Sequence, residues 1–421
     1  MELQPPRGTL DLLPPDGGRM RALYDRAADL ARRYGYRYVE TPGFEDAELF
    51  SATSGRTSDV ISKEVYTFED RGGRSLTLRP EGTAPVMRAY LHRRTDMPTP
   101  FKAYYLTRMY RFSRPQAGRY REHRQFGIEV FAEAGPAADV ETIVVGDRFL
   151  RELGLTRYRV ELNSIGDGTC RPPYREELVA YLRDNRDRLR DEHRDRFEDN
   201  PLRVLDCKDE ACAAVAAGAP KIVDRLCEPC REHFDGVREG LREEGLDPVL
   251  SPTLVRGLDY YTRTAFEFVA EGLSPQQATV FGGGRYDGLA EALGGPTVAG
   301  VGFGMGLERV LLALGDEAIA PPEEPGLAVF VVAIGAEARV VGRELVRVLR
   351  GAGVAADASF EDRPLKAQLR SADRTGAAFA AILGERELGS GVVTMRRLAD
   401  GDQREVAVTD VVDWLSTGAD A

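Results

Sequence analysis

The sequence lacks several patterns that would assign it to a class at once. No apolar run approaches the ~18–20 residues that a membrane helix requires. The first residues have neither the basic start nor the apolar segment of a secretory signal. We therefore expect a cytoplasmic protein with no membrane contact. No P-loop sequence and no G-x-G-x-x-G pattern occurs, so any nucleotide must be held by other means.

Basic residues are also fewer than acidic ones. The chain has 57 Lys and Arg against 68 Asp and Glu, a formal net charge of −11. This balance excludes a generally basic nucleic-acid binder but allows a basic groove on an acidic body. The 421 residues, 43% of them hydrophobic, are typical of a globular protein. We expect two or three domains, since single cores seldom exceed about 250–300 residues.

Cysteine is scarce, with five in the chain. Cys170 stands apart, while Cys207, Cys212, Cys227 and Cys230 form a C-x4-C…C-x2-C pattern. The spacing is compatible with a structural zinc site. The alternative is a set of reduced thiols in a cytosolic protein. No nearby pattern supplies an open coordination position, so we expect no catalytic metal.

The stretch Arg108–Phe131 contains the strongest local concentration of positive charge. Between residues 108 and 124 it has six arginines and one acid, Glu122. Its ends favour strands and its middle favours a turn, which predicts a hairpin with a long loop. Arginine forks match phosphate oxygens, and alternation along the second strand puts Gln125 and Glu129 on one face. The stretch therefore predicts a site for a phosphorylated ligand beside a small polar one; a solvated basic hairpin is the alternative.

Four further stretches predict ligand contacts. Glu81 and Thr83 lie where a strand ends and a helix begins, a common place for ligand contacts. The alternative is that the glutamate only interacts with the helix terminus. Leu254–Thr262 reads LVRGLDYYT and Gly282–Leu289 reads GGGRYDGL, both suited to a small polar pocket. Alternate glycines in 299–306 predict a bare strand face that could hold a flat ring, with a helix following.

The chain divides by composition. Residues 170–235 are charge-dense and helical, which indicates an insertion within a larger sheet domain. Residues 315–326 are linker-like. From residue 327 to 421, strands and helices alternate, which predicts a mostly parallel sheet covered by helices. The predicted domains are therefore 1–322 and 327–421.

Together these stretches resemble the class II aminoacyl-tRNA synthetases, and within them the histidyl-tRNA synthetases. The strand ending at Pro42, the hairpin Arg108–Phe131 and the stretch Gly302–Val310 resemble the three motifs of the class. LVRGLDYYT and GGGRYDGL resemble two motifs particular to histidine activation. The resemblance implies an α+β protein with a six- or seven-stranded antiparallel catalytic sheet, a helical insertion, a C-terminal α/β anticodon-binding domain and a homodimer.

The resemblance also implies the ligands and the residues that hold them. Arg111 and Arg256 would be catalytic at the α-phosphate of ATP, and Arg309 would bind the γ-phosphate, with Mg²⁺ on the β- and γ-phosphates. The pocket for L-histidine would be formed by Glu81, Thr83, Gln125, Glu129, Tyr260 and Tyr261. The acceptor end of histidine tRNA would be met by Arg114, Gln116 and Arg119.

The resemblance leaves one main alternative. The catalytically inactive paralogue that regulates ATP phosphoribosyltransferase should lack the C-terminal domain and have an eroded LVRGLDYYT. Both are intact here, which favours histidine–tRNA ligase activity. A synthetase for proline, threonine or glycine is disfavoured by GGGRYDGL and by Glu129.

Overall fold

The computed structural model describes residues 3–53, 64–205, 207, 209–255, 260–274 and 277–418. The chain divides into two compact units, Met1–Glu323 and Glu324–Ala421. Among the described residues, no helix is both long enough and apolar enough to span a membrane.

The first unit combines helices with two sheets. Its helices are α1 Asp16–Arg33, α2 Ala47–Thr53, α3 Thr83–Arg93, α4 Pro136–Glu152, α5 Arg171–Asp184, α6 Asp191–Arg194, α7 Leu202–Leu205, α8 Glu210–Ala217, α9 Glu228–Glu243, α10 Leu289–Ala292 and α11 Leu307–Asp316. Its strands are β1 Arg37–Tyr38, β2 Phe44–Asp46, β3 Tyr66–Glu69, β4 Ser75–Leu78, β5 Phe101–Tyr110, β6 Glu122–Phe131, β7 Tyr158–Ser164, β8 Val249–Leu250, β9 Thr262–Ala270, β10 Thr279–Arg285 and β11 Gly300–Gly306.

The larger sheet has eight strands in the order β1-β5-β6-β11-β10-β9-β7-β8. All inner pairs are antiparallel, whereas β1 pairs with β5 and β8 with β7 in parallel. The sheet is thus one strand wider than the upper limit of six or seven predicted, because two-residue strands extend both edges. The fold is α+β with a large, mostly antiparallel sheet, as predicted.

The predicted hairpin is β5 and β6, paired from Phe101 with Phe131 to Tyr110 with Glu122. On its other side β6 pairs with the glycine-rich strand β11, where Gly302 lies opposite Glu129. A Cβ on Gly302 would collide with the Glu129 carboxylate, and one on Gly304 with the side-chain amide of Gln125. The alternate glycines therefore make room for polar side chains of β6. The floor for a flat ring stays a prediction.

The smaller sheet has three strands in the order β2-β4-β3, and its strand β4 ends beside the β5–β6 hairpin. Arg79, at the end of β4, is buried and donates to the carbonyl oxygens of Thr41 at 2.6 Å and Arg108 at 2.9 Å. These hydrogen bonds join the end of the small sheet to β5 of the large one. They fix the start of α3 beside the hairpin.

The helical segment after β7 packs back on the large sheet through α9 and α4. Arg285, fully buried at the end of β10, forms an ion pair with Asp139 of α4. His233 of α9 lies 3.3 Å from the same carboxylate. One buried carboxylate thus joins the sheet to both helices, since a buried charge requires partners.

The second unit contains β12 Val329–Ala333, α12 Ala336–Gly351, β13 Ala356–Ala358, α13 Leu365–Arg374, β14 Phe379–Leu383, α14 Glu385–Ser390, β15 Val392–Arg397, β16 Gln403–Ala407 and α15 Val411–Gly418. Its sheet has the order β13-β12-β14-β15-β16. Only the β12 pairs are parallel, so the prediction of a mostly parallel sheet is wrong for β15 and β16. β16 escaped prediction because most of its residues are exposed, which leaves no apolar alternation.

Candidate active site

A cavity of about 260 Å³ opens over the β6, β11 and β10 strands of the large sheet. It brings two chemically different groups of side chains together. The acidic, amide and hydroxyl group comprises Glu81, Thr83, Tyr105, Ser113, Tyr120, Gln125, Tyr260, Tyr261, Thr279 and Glu308. The basic group comprises Arg111, Arg119, His123 and Arg309.

Glu81 lies at the start of α3 and uses both carboxylate oxygens there. They accept hydrogen bonds from the backbone N–H groups of Thr83 at 2.6 Å and Ala84 at 3.0 Å. Burial raises the pKa of this carboxyl, while the two N–H groups and Arg111 oppose that rise. The helix-terminus role considered for Glu81 is therefore real, and the same carboxylate also lines the cavity.

Glu129 lies beneath the cavity wall and is fully buried. Its Oε1 accepts from the Thr83 hydroxyl at 2.8 Å and lies 3.4 Å from the Tyr105 hydroxyl. The Tyr286 hydroxyl donates to its Oε2. Burial raises the pKa of Glu129 from its ordinary 4.5 to about 8, against the effect of these hydroxyl donors. Its protonation can therefore change near neutral pH.

Tyr105 fills the space between the polar residues of β6. Its hydroxyl lies 3.4 Å from both Gln125 Oε1 and Glu129 Oε1 and can donate to either. A Cβ at Gly82 or at Gly127 would collide with its ring. These two glycines are thus required for the tyrosine to reach the wall.

Three tyrosines form the aromatic part of the site. The rings of Tyr260 and Tyr261 lie 4.8 Å apart and tilted. The ring of Tyr286 stands edge-on to both, at 5.7 and 6.1 Å. Edge-to-face contacts at these distances are favourable, so the aromatic wall and the Tyr286–Glu129 hydrogen bond support one another.

Backbone oxygens hold two arginines of the basic group, whereas Arg119 forms an ion pair with Glu64 at 2.7 Å. Arg111 donates from Nε to the Pro80 carbonyl at 2.7 Å, and Arg309 donates to the Gly118 carbonyl at 3.3 Å and to that of Thr279. Each keeps part of its guanidinium for a ligand. Burial and the neighbouring arginines lower the pKa of His123 to about 3, so its imidazole is neutral beside them.

A buried ion pair fixes the start of α11, which carries Arg309. Glu308 accepts from the backbone N–H of Arg124 at 3.0 Å and from its guanidinium at 3.2 Å. Both side chains are buried. Arg124, predicted as one of the basic hairpin residues, therefore holds the helix in place and does not face a ligand.

A family model described as histidyl-tRNA synthetase matches residues 8–166 and 204–310.

The chain belongs to the histidyl-tRNA synthetase family.

Other similarities agree with this assignment. An anticodon-binding domain model matches residues 328–417. A histidine–tRNA ligase of Moorella thermoacetica is 48% identical, covering 97% of both chains. One from Desulforudis audaxviator is 47% identical over the full length of both. The apo crystal structure of Staphylococcus aureus histidyl-tRNA synthetase superposes with a TM-score of 0.81 at 33% identity, covering 98% of this chain and 99% of that one.

In this member of the histidyl-tRNA synthetase family, most of the predicted site residues line one cavity: Glu81, Thr83, Arg111, Arg119, Gln125, Tyr260, Tyr261 and Arg309. Glu129 lies directly below it. Arg114 and Gln116 are exposed on the hairpin loop and are not among the lining residues. Arg256, with residues 257–259, lies outside the described part of the chain.

Sequence reasoning missed Tyr105, His123 and the role of Tyr286. Gly127 was a usable signal for Tyr105, because a glycine between Gln125 and Glu129 on a polar strand face indicates a bulky neighbour. Nothing in the sequence indicated that Tyr286, rather than the adjacent arginine of GGGRYDGL, would reach Glu129.

The four-cysteine pattern does not form one cluster. Cys227 and Cys230 gather with Asp167 and Cys170, and Cys207 and Cys212 gather with His193. The expectation that Cys170 stands apart is therefore wrong. The C-x4-C half and the C-x2-C half thus belong to two separate groups.

Proposed function

We propose that this chain is a histidine–tRNA ligase that activates L-histidine with ATP and transfers it to the 3′ end of histidine tRNA. The observation that supports this most directly is a single cavity lined by several arginines and by carboxylate, amide and hydroxyl groups. The arginines suit a triphosphate, and the polar group suits an amino acid. The full-length relatives are named histidine–tRNA ligases.

In the first step, a carboxylate oxygen of histidine attacks the α-phosphorus of ATP. The bond to the bridging oxygen of pyrophosphate breaks, giving histidyl-adenylate and pyrophosphate. We assign Arg111 and Arg256 to the α-phosphate and Arg309 to the γ-phosphate. Fixed guanidiniums stabilise charge that spreads over the non-bridging oxygens in such a displacement. No protein nucleophile is needed, because the substrate carboxylate is the nucleophile.

Histidine is recognised at both ends. We assign its α-ammonium to Glu81 and Gln125, with Thr83 beside them. One imidazole N–H would take the place of a hydroxyl donor on Glu129 Oε1, which already faces two lining residues. The other ring nitrogen would meet Tyr261, and Tyr260 would form the wall. Polar partners for both nitrogens discriminate far better than an apolar pocket.

In the second step, a hydroxyl of the terminal ribose of the tRNA attacks the acyl carbon, and AMP leaves. We assign Arg114, Gln116 and Arg119 to the acceptor end of the tRNA. Arg114 and Gln116 are exposed, and Arg119 joins the hairpin loop to the cavity. The 328–417 unit would bind the anticodon, in line with the family model that matches it.

Magnesium would enter with the nucleotide. Besides Glu81, which caps α3, the described cavity residues include one carboxylate, Glu308, and both of its oxygens accept from Arg124. The cavity residues that the structure describes therefore do not fit a preformed magnesium site. We propose that Mg²⁺ is bound by the β- and γ-phosphates.

We also propose a homodimer and a cytoplasmic location. The support for the dimer is a set of exposed aromatic side chains on β1, β2 and β3: Tyr38, Phe44 and Phe68 are 51%, 52% and 43% exposed, and the rings of Phe44 and Phe68 lie 6.4 Å apart. Aromatic side chains gathered at a surface mark interaction sites. The regulatory role considered as the alternative is disfavoured, since full-length relatives are ligases and the C-terminal domain matches its model.

Histidine-dependent exchange between ATP and pyrophosphate tests the proposal. The wild type should catalyse exchange, and Arg111→Ala and Arg256→Ala should each lose at least ~10²-fold in rate. Arg108→Ala is the matched control, because this exposed arginine pairs with Glu122 on the hairpin and stays near the wild-type rate. A folded wild type that binds histidine without exchange would refute the ligase and favour the regulatory role.

A further inference from the structure

A compact group of potential metal ligands lies outside the cavity. It consists of Asp167, Cys170, Cys227 and Cys230, whose ligand atoms all lie within 4.8 Å of one another. We propose that these four residues bind one Zn²⁺ as a structural site. Three thiolates and a carboxylate make a closed set of four ligands, which is the usual number for structural zinc.

The distances fit this assignment. In a tetrahedral zinc site a thiolate sulfur and a carboxylate oxygen lie about 3.5 Å apart. The sulfurs of Cys170 and Cys227 lie 3.7 and 3.8 Å from Oδ1 of Asp167. The backbone N–H of Thr169 donates to that same oxygen at 2.9 Å and orients the carboxylate. Such an outer hydrogen bond is typical of a metal ligand.

Two helix N-termini supply the thiols. Cys170 is the N-cap residue of α5 and Cys227 is the N-cap residue of α9, with Cys230 in the first turn of α9. Helix N-termini stabilise thiolates through their free N–H groups and the helix dipole. Arg263 lies 3.7 Å from Oδ2 of Asp167 and adds a positive charge. These charges offset the excess negative charge of three thiolates and one carboxylate.

The packing around the sulfurs leaves little freedom. Cys170 and Cys230 are 3% and 0% exposed. Gly166 has a positive φ of 65°, and a Cβ there would lie 2.6 Å from the Cys170 sulfur. The loop after β7 is therefore shaped around that thiol.

The site also adjoins the segment that carries the cavity tyrosines. Arg171, next to Cys170, donates to the Tyr261 carbonyl at 2.6 Å. Arg263, which has φ 49°, exchanges backbone hydrogen bonds of 2.7 Å with Gly166 and Ile165. Zinc would thus brace the backbone behind the aromatic wall. That consequence rests on the proposed function, whereas the zinc site itself does not.

The second group provides an internal control. His193, Cys207 and Cys212 also lie within 4.8 Å of one another. This group offers three ligands among the described residues, one fewer than a closed structural site. A cysteine removed from it should leave the Asp167 site intact.

The test is metal content together with cobalt substitution. The full chain is purified with zinc, and zinc per chain is measured for the wild type, Cys170→Ser, Cys230→Ser and the control Cys212→Ser. The first two variants should hold one equivalent fewer than the wild type. Co²⁺ added to the metal-free chain should give a thiolate-to-cobalt absorption band. The Cys212→Ser variant should still show the band that comes from the Asp167 site.

Asp167→Cys tests the fourth ligand and does not depend on variants that lose the metal and fail to fold. A fourth thiolate should hold zinc more tightly, so a chelator should remove the metal more slowly than from the wild type. The proposal is overturned if the wild type takes up no zinc, if Cys170→Ser and Cys230→Ser keep the full amount, or if Asp167→Cys does not slow removal. Zinc binding without histidine-dependent exchange would refute the proposed function alone.

Discussion

Glu129→Gln isolates the effect of one titrating carboxyl group buried beneath the cavity. The carboxyl is fully buried and its pKa is about 8, so it binds a proton in the folded chain at pH values where an unfolded glutamate is ionised. Glutamine has the same shape as the protonated acid and can still accept from Thr83. The substitution therefore removes the titrating group and leaves the packing nearly unchanged.

The magnitude follows from proton linkage. The pKa of Glu129 is higher in the folded chain than in the unfolded chain. Its contribution to the free energy of unfolding is therefore fully present below pH 4.5 and is lost progressively as the pH rises toward 8. Each pH unit in this window lowers the free energy of unfolding of the wild type by about 1.4 kcal/mol. At pH 5 the variant should be more stable by about 1 kcal/mol and at pH 7 by ~3 kcal/mol.

Thermal unfolding at the two pH values measures this difference. A gain of ~2–3 kcal/mol between them corresponds to about 5 °C in the Tm of a unit of this size. Glu243→Gln, an exposed change of the same charge on α9, is the control and should show no such trend. A Tm difference between Glu129→Gln and wild type that stays constant from pH 5 to 7 would refute the reasoning. The variant should also raise KM for histidine by about 10- to 100-fold.

Two further substitutions test the supports of the site by thermal or urea unfolding. Gly302→Ala should lower the free energy of unfolding by about 1–3 kcal/mol, because the added methyl group would collide with the Glu129 carboxylate and the Tyr286 hydroxyl. In the control Gly306→Ala the methyl group meets nothing within 4 Å, so the loss should be far smaller. Asp139→Asn should destabilise by about 3–5 kcal/mol, since it leaves the buried Arg285 guanidinium without its main counter-charge. Asp287→Asn, at the more exposed second partner, should have a smaller effect. Equal effects within either pair would contradict the packing described.

Local pattern was sufficient for much of the molecule. Alternation between Gln125 and Glu129 predicted the strand and the face it shows, because neighbouring side chains on a strand must point to opposite sides. The turn-prone run between the hairpin strands was equally direct. The resemblance to the synthetase family, taken over the whole chain, selected most of the residues that line the cavity.

Tertiary structure alone decided which distant residues meet. Tyr105 reaches Gln125 only because glycines at 82 and 127 leave its ring space. The C-x4-C and C-x2-C pairs looked like one site along the chain, yet each found other partners, since helix packing sets the distance between sulfurs. The sequence by itself determined the residue types and, through their spacing, the face of the strand or helix on which each lies. Contacts between residues far apart in the chain determined which of them are buried. That burial in turn raised the pKa of Glu129.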